Sequence, residues 1–560
     1  MTQTTAQRIE DNLVFVYGEE KGRRIMKAVQ DLKESYQLSA QKKDWVDQED
    51  VMLITYGDSI VGDKQNPLQT LRSFLNEYVG QVINSVHILP FYPYTSDDGF
   101  SVQDYEKVRE DLGDWEDVHD LAGQYDLMFD AVINHISRKS DWFQKYLEGE
   151  EAYQNYFVEA DPDADYSSIV RPRALPLLTK VDHKDGEKHV WTTFSDDQID
   201  LNFESEELFI AILDILLQYV KNGARYLRLD AIGFLWKRLN TTSIHLEETH
   251  RIVQVMRDVL EEVSPGTIII TETNVPHKEN ISYFGNGYNE AHMVYQFPLP
   301  PLTLHTFLSG NARHLSEWAD ALEPTTEHTS FFNFLASHDG IGLRPVEGIL
   351  DEATIEEMVE TTKGRGGRVS YKNNGDGTES PYELNINYYS ALENADDSVE
   401  KNVERFLAAQ TILLSVKGVP GIYVHSLLGS LNDQAGVEET GRARSINRES
   451  LQVEEVESEL DQEDSRRGRV FHELLSRIEK RKQETAFHPN AEQDVLFLDE
   501  RVFAIKRSYQ GEQVTVLVNV SGQSVALSDS FSGVDVMSGQ RVETDELELD
   551  PYQAIWLKEE

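Results

Sequence analysis

Cysteine is absent from the 560 residues, so disulfides, thiolate metal sites and cysteine nucleophiles are all excluded. No apolar run approaches the roughly 18 residues that a membrane-spanning helix needs, and the chain reads as a soluble protein with no membrane partner. The N-terminus, MTQTTAQRIEDNLVF, lacks a basic segment followed by a short apolar stretch and a small-residue cleavage site, which makes the cytoplasm the expected compartment. Positive charge is scarce. Against 99 Asp and Glu stand 52 Lys and Arg, a net charge of −47 spread over the whole chain. Such a surface repels phosphate backbones, which argues against a nucleic-acid partner, and it suits a salt-rich cytoplasm in which cations screen self-repulsion.

What the chain does contain, from residue 51 onward, is one unit repeated eight times: a short apolar run rich in β-branched and aromatic residues, a polar loop, then a helical pattern. The expected strands are 51–56, 85–90, 127–134, 224–229, 267–271, 292–297, 331–336 and 421–425. Between them lie helical stretches such as 207–220, whose apolar residues at 208, 209, 212, 213, 216 and 217 make one face, ended by Asn222-Gly223. Strict alternation of strand and helix predicts a parallel sheet. Eight repeats over so long a span fit an α/β fold of the (β/α)8 barrel type with inserted small domains.

Two connections are too long for ordinary barrel loops. One, 136–203, reads as a small irregular domain. The other, 340–400, holds the stretch GRGGRVSYKNNGDGTESPYELN, which reads as a mobile loop. Residues 46–485 are therefore expected to form the barrel with these insertions. A helix near 471–482 precedes 486–560, where alternating segments at 495–498, 502–507, 514–520 and 553–557 predict a C-terminal antiparallel β domain. Residues 1–45 read as an amphipathic helical extension.

In such a barrel, catalytic groups stand at the C-terminal ends of the strands. Here those ends are unusually polar: Asp58, His87, then Asp130, Asn134 and His135, then Arg228 and Asp230, then Glu272, then His338 and Asp339. A lone Asp after a strand is commonly a helix cap and a lone His a satisfied core residue, but six strands ending this way point to a site. Carboxylates on adjacent strands with a third opposite suit glycosidic bond exchange with retention, in which one attacks the anomeric carbon and another, at a spacing of roughly 5 Å, protonates the leaving oxygen. On this reading Asp230 is the nucleophile, kept ionised by Arg228, and Glu272 is the general acid/base. Asp339, with His338 and His135, binds sugar hydroxyls. The reading needs no cofactor or metal.

The segments RLDAIGF, TETN, DAVINH and SHDG resemble the signature regions of the α-amylase family of glycoside hydrolases (family 13), in which the nucleophile, acid/base and stabiliser fall on Asp230, Glu272 and Asp339. VHILPFYPYTSDDGFSVQDY, RPRALP, DDQIDLNF, LRLDAIGF, SHDGIG and NYYSAL narrow the likeness to the sucrose phosphorylase-like subfamily. That resemblance implies that Asp58 and Arg448 pin the glucose 4-hydroxyl and close a one-glucose pocket. It also implies that inorganic phosphate intercepts the glucosyl-enzyme and releases α-glucose 1-phosphate. Arg173 matches a phosphate ligand of the subfamily, and Arg365, Arg368 and Lys372 form the densest nearby basic cluster. The partners implied are phosphate, α-glucose 1-phosphate and a small glucoside, in a monomer or homodimer.

Phe234, Asn274 and Tyr382-Glu383 depart from the residues with which sucrose phosphorylases meet fructose or phosphate. Glu383 at the acceptor loop favours a neutral polyol over an anion, which predicts reversible phosphorolysis of 2-O-α-glucosylglycerol. Arg442 and Arg444 keep glucosylglycerate open as the alternative. Sucrose or sucrose 6′-phosphate phosphorolysis and plain α-glucosidase activity are further readings.

Overall fold

The computed structural model describes residues 3–559 apart from Ala174, Gly375 and Asp376; these three, with Met1, Thr2 and Glu560, lie outside the described residues. Its centre is a closed barrel of eight strands: β1 (Met52–Thr55), β2 (Ser85–Ile88), β3 (Asp126–Ala131), β4 (Ala224–Leu229), β5 (Ile268–Thr271), β6 (Met293–Tyr295), β7 (Ser330–Asn333) and β8 (Val419–Tyr423). Each pairs in parallel with its neighbours in chain order, and β8 closes on β1 through Met52↔Gly421. All eight expected strands are present. They read as unbroken apolar runs because both faces are covered: Ile268, Ile269 and Ile270 on β5 are each fully buried, as are Leu127, Met128 and Phe129 on β3. The helix between β3 and β4 runs Glu206–Lys221. Its Ser205 cap accepts the Leu208 N–H, and the face through Leu208, Phe209, Ile212, Leu213, Leu216 and Leu217 is buried as its spacing requires.

The first long connection contains the helix Asp141–Leu147 and a hairpin of Leu178–His183 with Gly186–Trp191. The second differs from its reading as a mobile loop. After the helix Glu352–Gly364, strands Arg368–Asn373 and Glu379–Asn385 form a hairpin, extended to three strands by Ile341–Gly342. Backbone pairing across the strands outweighs the local glycine content, and it fixes Gly342 opposite Glu383. C-terminal to the barrel, a six-stranded antiparallel sheet begins at Glu492–Val495, earlier than the expected 495–498, and includes Phe531–Asp535 and Arg541–Thr544, which sequence alternation does not reveal. Among the described residues no helix is long and apolar enough to cross a membrane.

Helices Thr5–Tyr17 and Glu19–Ser35 pack on the outside of the barrel. Ile9, Leu13, Ile25 and Val29 are buried there, Arg8 forms an ion pair with Asp258 at 2.6 Å, and the Tyr36 hydroxyl donates to Asp214 at 2.5 Å. The N-terminal segment is thus a structural layer over the helices that flank β4. Leu13→Ala should destabilise the protein by about 2–5 kcal/mol, because the buried side chain leaves a cavity against neighbours that relax only partly. A thermal melt unchanged from wild type would show that this layer is not part of the cooperative core.

Candidate active site

The C-terminal ends of the strands open into one cavity of about 700 Å³. Asp230, Glu272 and Asp339 all line it. Beneath them runs a buried ladder. Arg228, on the same side of β4 as Asp230, donates to it at 2.8 Å and to Asp130 at 2.6 Å through one nitrogen, and its Nε donates to the Tyr295 hydroxyl at 3.0 Å. His87 is bonded to Asp130 at 2.6 Å. His87 and Arg228 border a small void under the main cavity, where they hold Asp130 and Asp230 in place.

Glu272, at the end of β5, accepts a hydrogen bond from the Ala231 N–H at 3.0 Å, which ties it to the residue after Asp230. Burial raises the carboxyl pKa of both, and each is raised further by nearby carboxylates, Asp230 by Glu272 and Glu272 by Asp339. The direct Arg228 bond favours charge on Asp230, whereas Arg228 lies 4.0 Å from Glu272, so a proton held by the pair belongs on Glu272. Asp339 behaves in the opposite way. Burial works against its charge, but Arg444, at 2.6 Å, together with His338, Arg448 and Arg228, outweighs burial and holds it well below the usual carboxylate range. His338 is kept neutral by burial, its pKa lowered to about 3, and its ring stacks on Phe100 with centroids 5.0 Å apart.

Two expected placements are corrected. Asp58 pairs with Arg109 at 2.7 Å and does not line the cavity. Arg448 instead meets Asp98 in a close ion pair and donates through Nε to the His338 carbonyl at 2.8 Å. The partner comes from the turn SDDGF, in which Asp97 and Asp98 both take left-handed backbone angles (φ 56° and 47°). Gly99 makes that turn possible: its φ is +108°, and a Cβ there would lie 2.8 Å from the Pro90 carbonyl oxygen. Asp97 lines the cavity and accepts from Arg173 at 3.2 Å and Gln198 at 3.0 Å. Sequence reasoning misses Asp97 and Asp98. The Asp-Asp-Gly turn in the loop that follows the second strand is the signal that could have found them.

The basic cluster is also corrected. Arg365 donates to the Ala391 carbonyl, Arg368 is exposed, and neither lines the cavity. Lys372 does line it, paired with Glu347 at 3.0 Å. The cation at the centre is Arg444, which grips Glu383 with two parallel bonds of 3.0 and 2.7 Å while holding Asp339 with its remaining nitrogen. Gly340 permits this, since a Cβ there would stand 2.4 Å from Glu383 Cγ. Tyr382 and His135 line the same cavity, and His135 is bonded to the Phe100 carbonyl at 2.8 Å.

Comparison with known proteins adds to this geometry. Residues 75–342 match the α-amylase catalytic domain. The chain is 46% identical over 559 residues to glucosylglycerate phosphorylase of Escherichia coli (strain K12), covering 99% of this chain and all of that protein. Glucosylglycerol phosphorylase of Marinobacter adhaerens is 29% identical over 450 residues, covering 78% of this chain and 88% of that one. The crystal structure of sucrose 6F-phosphate phosphorylase from Thermoanaerobacter thermosaccharolyticum superimposes with a TM-score of 0.74 at 25% identity, over 89% of this chain and 98% of that one.

Proposed function

This chain belongs to the α-amylase family, within its branch of glucoside phosphorylases, and from that premise we propose that it is a retaining phosphorylase of α-glucosylglycerate. The observation that carries the acceptor is the two-pronged bond between Arg444 and Glu383. Glu383 points to a neutral acceptor, glycerol, only if its charge is uncompensated. With Arg444 on it, the carboxylate no longer repels an anion, and the preference passes from glycerol to glycerate. The much higher identity to the glucosylglycerate enzyme than to the glucosylglycerol enzyme supports the same choice.

In the proposed mechanism Asp230 attacks the anomeric carbon while Glu272 delivers its proton to the departing glycerate oxygen, leaving a β-linked glucosyl ester on Asp230. Phosphate then attacks the same carbon from the vacated side. The ionised Glu272 takes a proton from it, and α-glucose 1-phosphate leaves with Asp230 regenerated. Asp339, kept ionised by Arg444, accepts hydrogen bonds from the sugar hydroxyls. Arg448, with Asp98, closes the pocket behind one glucose.

Purified enzyme with α-glucose 1-phosphate should release phosphate on addition of D-glycerate at least about tenfold more efficiently than with glycerol or fructose, and should leave starch uncleaved. Preference for glycerol would return the acceptor to the neutral polyol. Glucose release that ignores phosphate would make the enzyme a hydrolase.

A further inference from the structure

Every cation on the cavity wall except one is engaged by another group of the protein. Arg444 holds Asp339 and Glu383, Arg173 holds Asp97, Lys372 holds Glu347, and Arg171 donates to the Leu175 carbonyl. Arg344 also lines the cavity, yet among the described residues its guanidinium makes no ion pair and no side-chain hydrogen bond. In a chain of net charge −47, with Glu347 three residues away, a half-buried arginine on a cavity wall with neither a carboxylate nor a carbonyl partner among the described residues is conspicuous.

Its backbone is firmly placed. Leu343 and Val346 on either side are buried, Pro345 stiffens the turn between them, and the Leu343 N–H donates to the Tyr382 carbonyl at 3.0 Å. Arg344 is therefore tied to the strand that carries Tyr382 and Glu383, two residues beyond the Gly342↔Glu383 pair. The wall beside it includes Phe234 and Asn274, and the Asn274 Oδ1 is buried with no partner. A planar guanidinium free to make two parallel bonds, next to an unpartnered amide, suits a small hydroxy acid better than a polyol, which would leave the charge unmatched.

We propose that Arg344 is the specificity-determining residue that binds the carboxylate of the acceptor, with Asn274 beside it for an acceptor hydroxyl. This rests on the acceptor being glycerate. It separates two jobs on one wall: Arg444 neutralises Glu383 and orders Asp339, whereas Arg344 meets the incoming anion.

The test compares wild type, Arg344→Ala and Arg344→Lys in the synthetic direction, with D-glycerate and glycerol as acceptors, and measures KM for phosphate in the other direction. Arg344→Ala should raise KM for glycerate about ten- to a hundredfold and lower the glycerate-to-glycerol ratio of kcat/KM by a similar factor. Arg344→Lys, which keeps the charge but not the fork, should fall between. Thermal midpoints check that each variant folds. If Arg344→Ala keeps the wild-type ratio, the proposal is overturned while glycerate stands as acceptor. If KM for phosphate rises as steeply as KM for glycerate, Arg344 is a phosphate ligand and the proposal is again overturned. A wild type that does not use glycerate overturns both this inference and the acceptor reading.

Discussion

Replacing Asp230 by alanine should lower turnover by four or more orders of magnitude, a loss of about 5.5 kcal/mol or more of transition-state stabilisation. Its carboxylate is the group that Arg228 grips at 2.8 Å, and the Ala231 N–H that follows it in the chain fixes Glu272. No neighbour can substitute for it. Asp130 is fully buried and bonded to both His87 and Arg228, and Asp339 is held across the cavity by Arg444. Asp230→Asn should fail as completely, since it preserves shape and removes the nucleophile. Both variants should still fold, because Arg228 keeps Asp130 as a partner at 2.6 Å, and a thermal melt checks this. Retention of more than about a hundredth of the wild-type rate in either variant would falsify the assignment.

The second large effect belongs to Arg444. Arg444→Gln leaves Asp339 and Glu383 facing each other without their shared cation, and removing one partner from a buried ion pair typically costs about 3–5 kcal/mol. The expected loss is roughly a hundred- to a thousandfold in kcat/KM, with a direction in pH that a general structural defect would not produce. In wild type, Arg444 is the largest influence pulling the Asp339 pKa down against burial. Without it the Asp339 pKa rises, so protonation sets in at higher pH and the acid limb of the kcat/KM profile moves toward neutrality. The stability sign follows the same logic. A carboxyl whose folded pKa is depressed contributes stability above its unfolded pKa, lost as pH falls through the folded value. In the variant that contribution at neutral pH disappears, and mild acid becomes less harmful to folding than in wild type. A profile reduced in height with an unmoved acid limb would mean that Arg444 does not set the charge of Asp339.

Several placements are legible in the order of residues alone. Parallel strands buried on both faces must be written as continuous apolar runs, so β1 to β8 stand out, and the polar residues that end them stand out by contrast. Asp230, Glu272 and Asp339 emerge this way, as does Arg228 two residues before Asp230. Asp58 and Arg448 do not form the expected pair because strand position says where a side chain begins and not which charge it reaches: Arg109 takes Asp58, and Asp98, raised by a left-handed turn, takes Arg448. Arg365 and Arg368 fail for a related reason. Their density in the sequence does not bring Arg365 and Arg368 to the cavity, whereas Arg444, on the short turn Ala443–Asn447, and Arg344, on the turn Arg344–Val346, stand on its wall.

By itself the sequence determined the barrel, the polar rim and the three carboxylates, because hydrophobic periodicity and strand-end chemistry are local properties of the chain. Only the tertiary structure decided which arginine neutralises which carboxylate. Ion pairing depends on distance and burial between segments far apart in sequence: Arg444 lies 61 residues from Glu383, yet their bond removes the charge that points to a neutral acceptor.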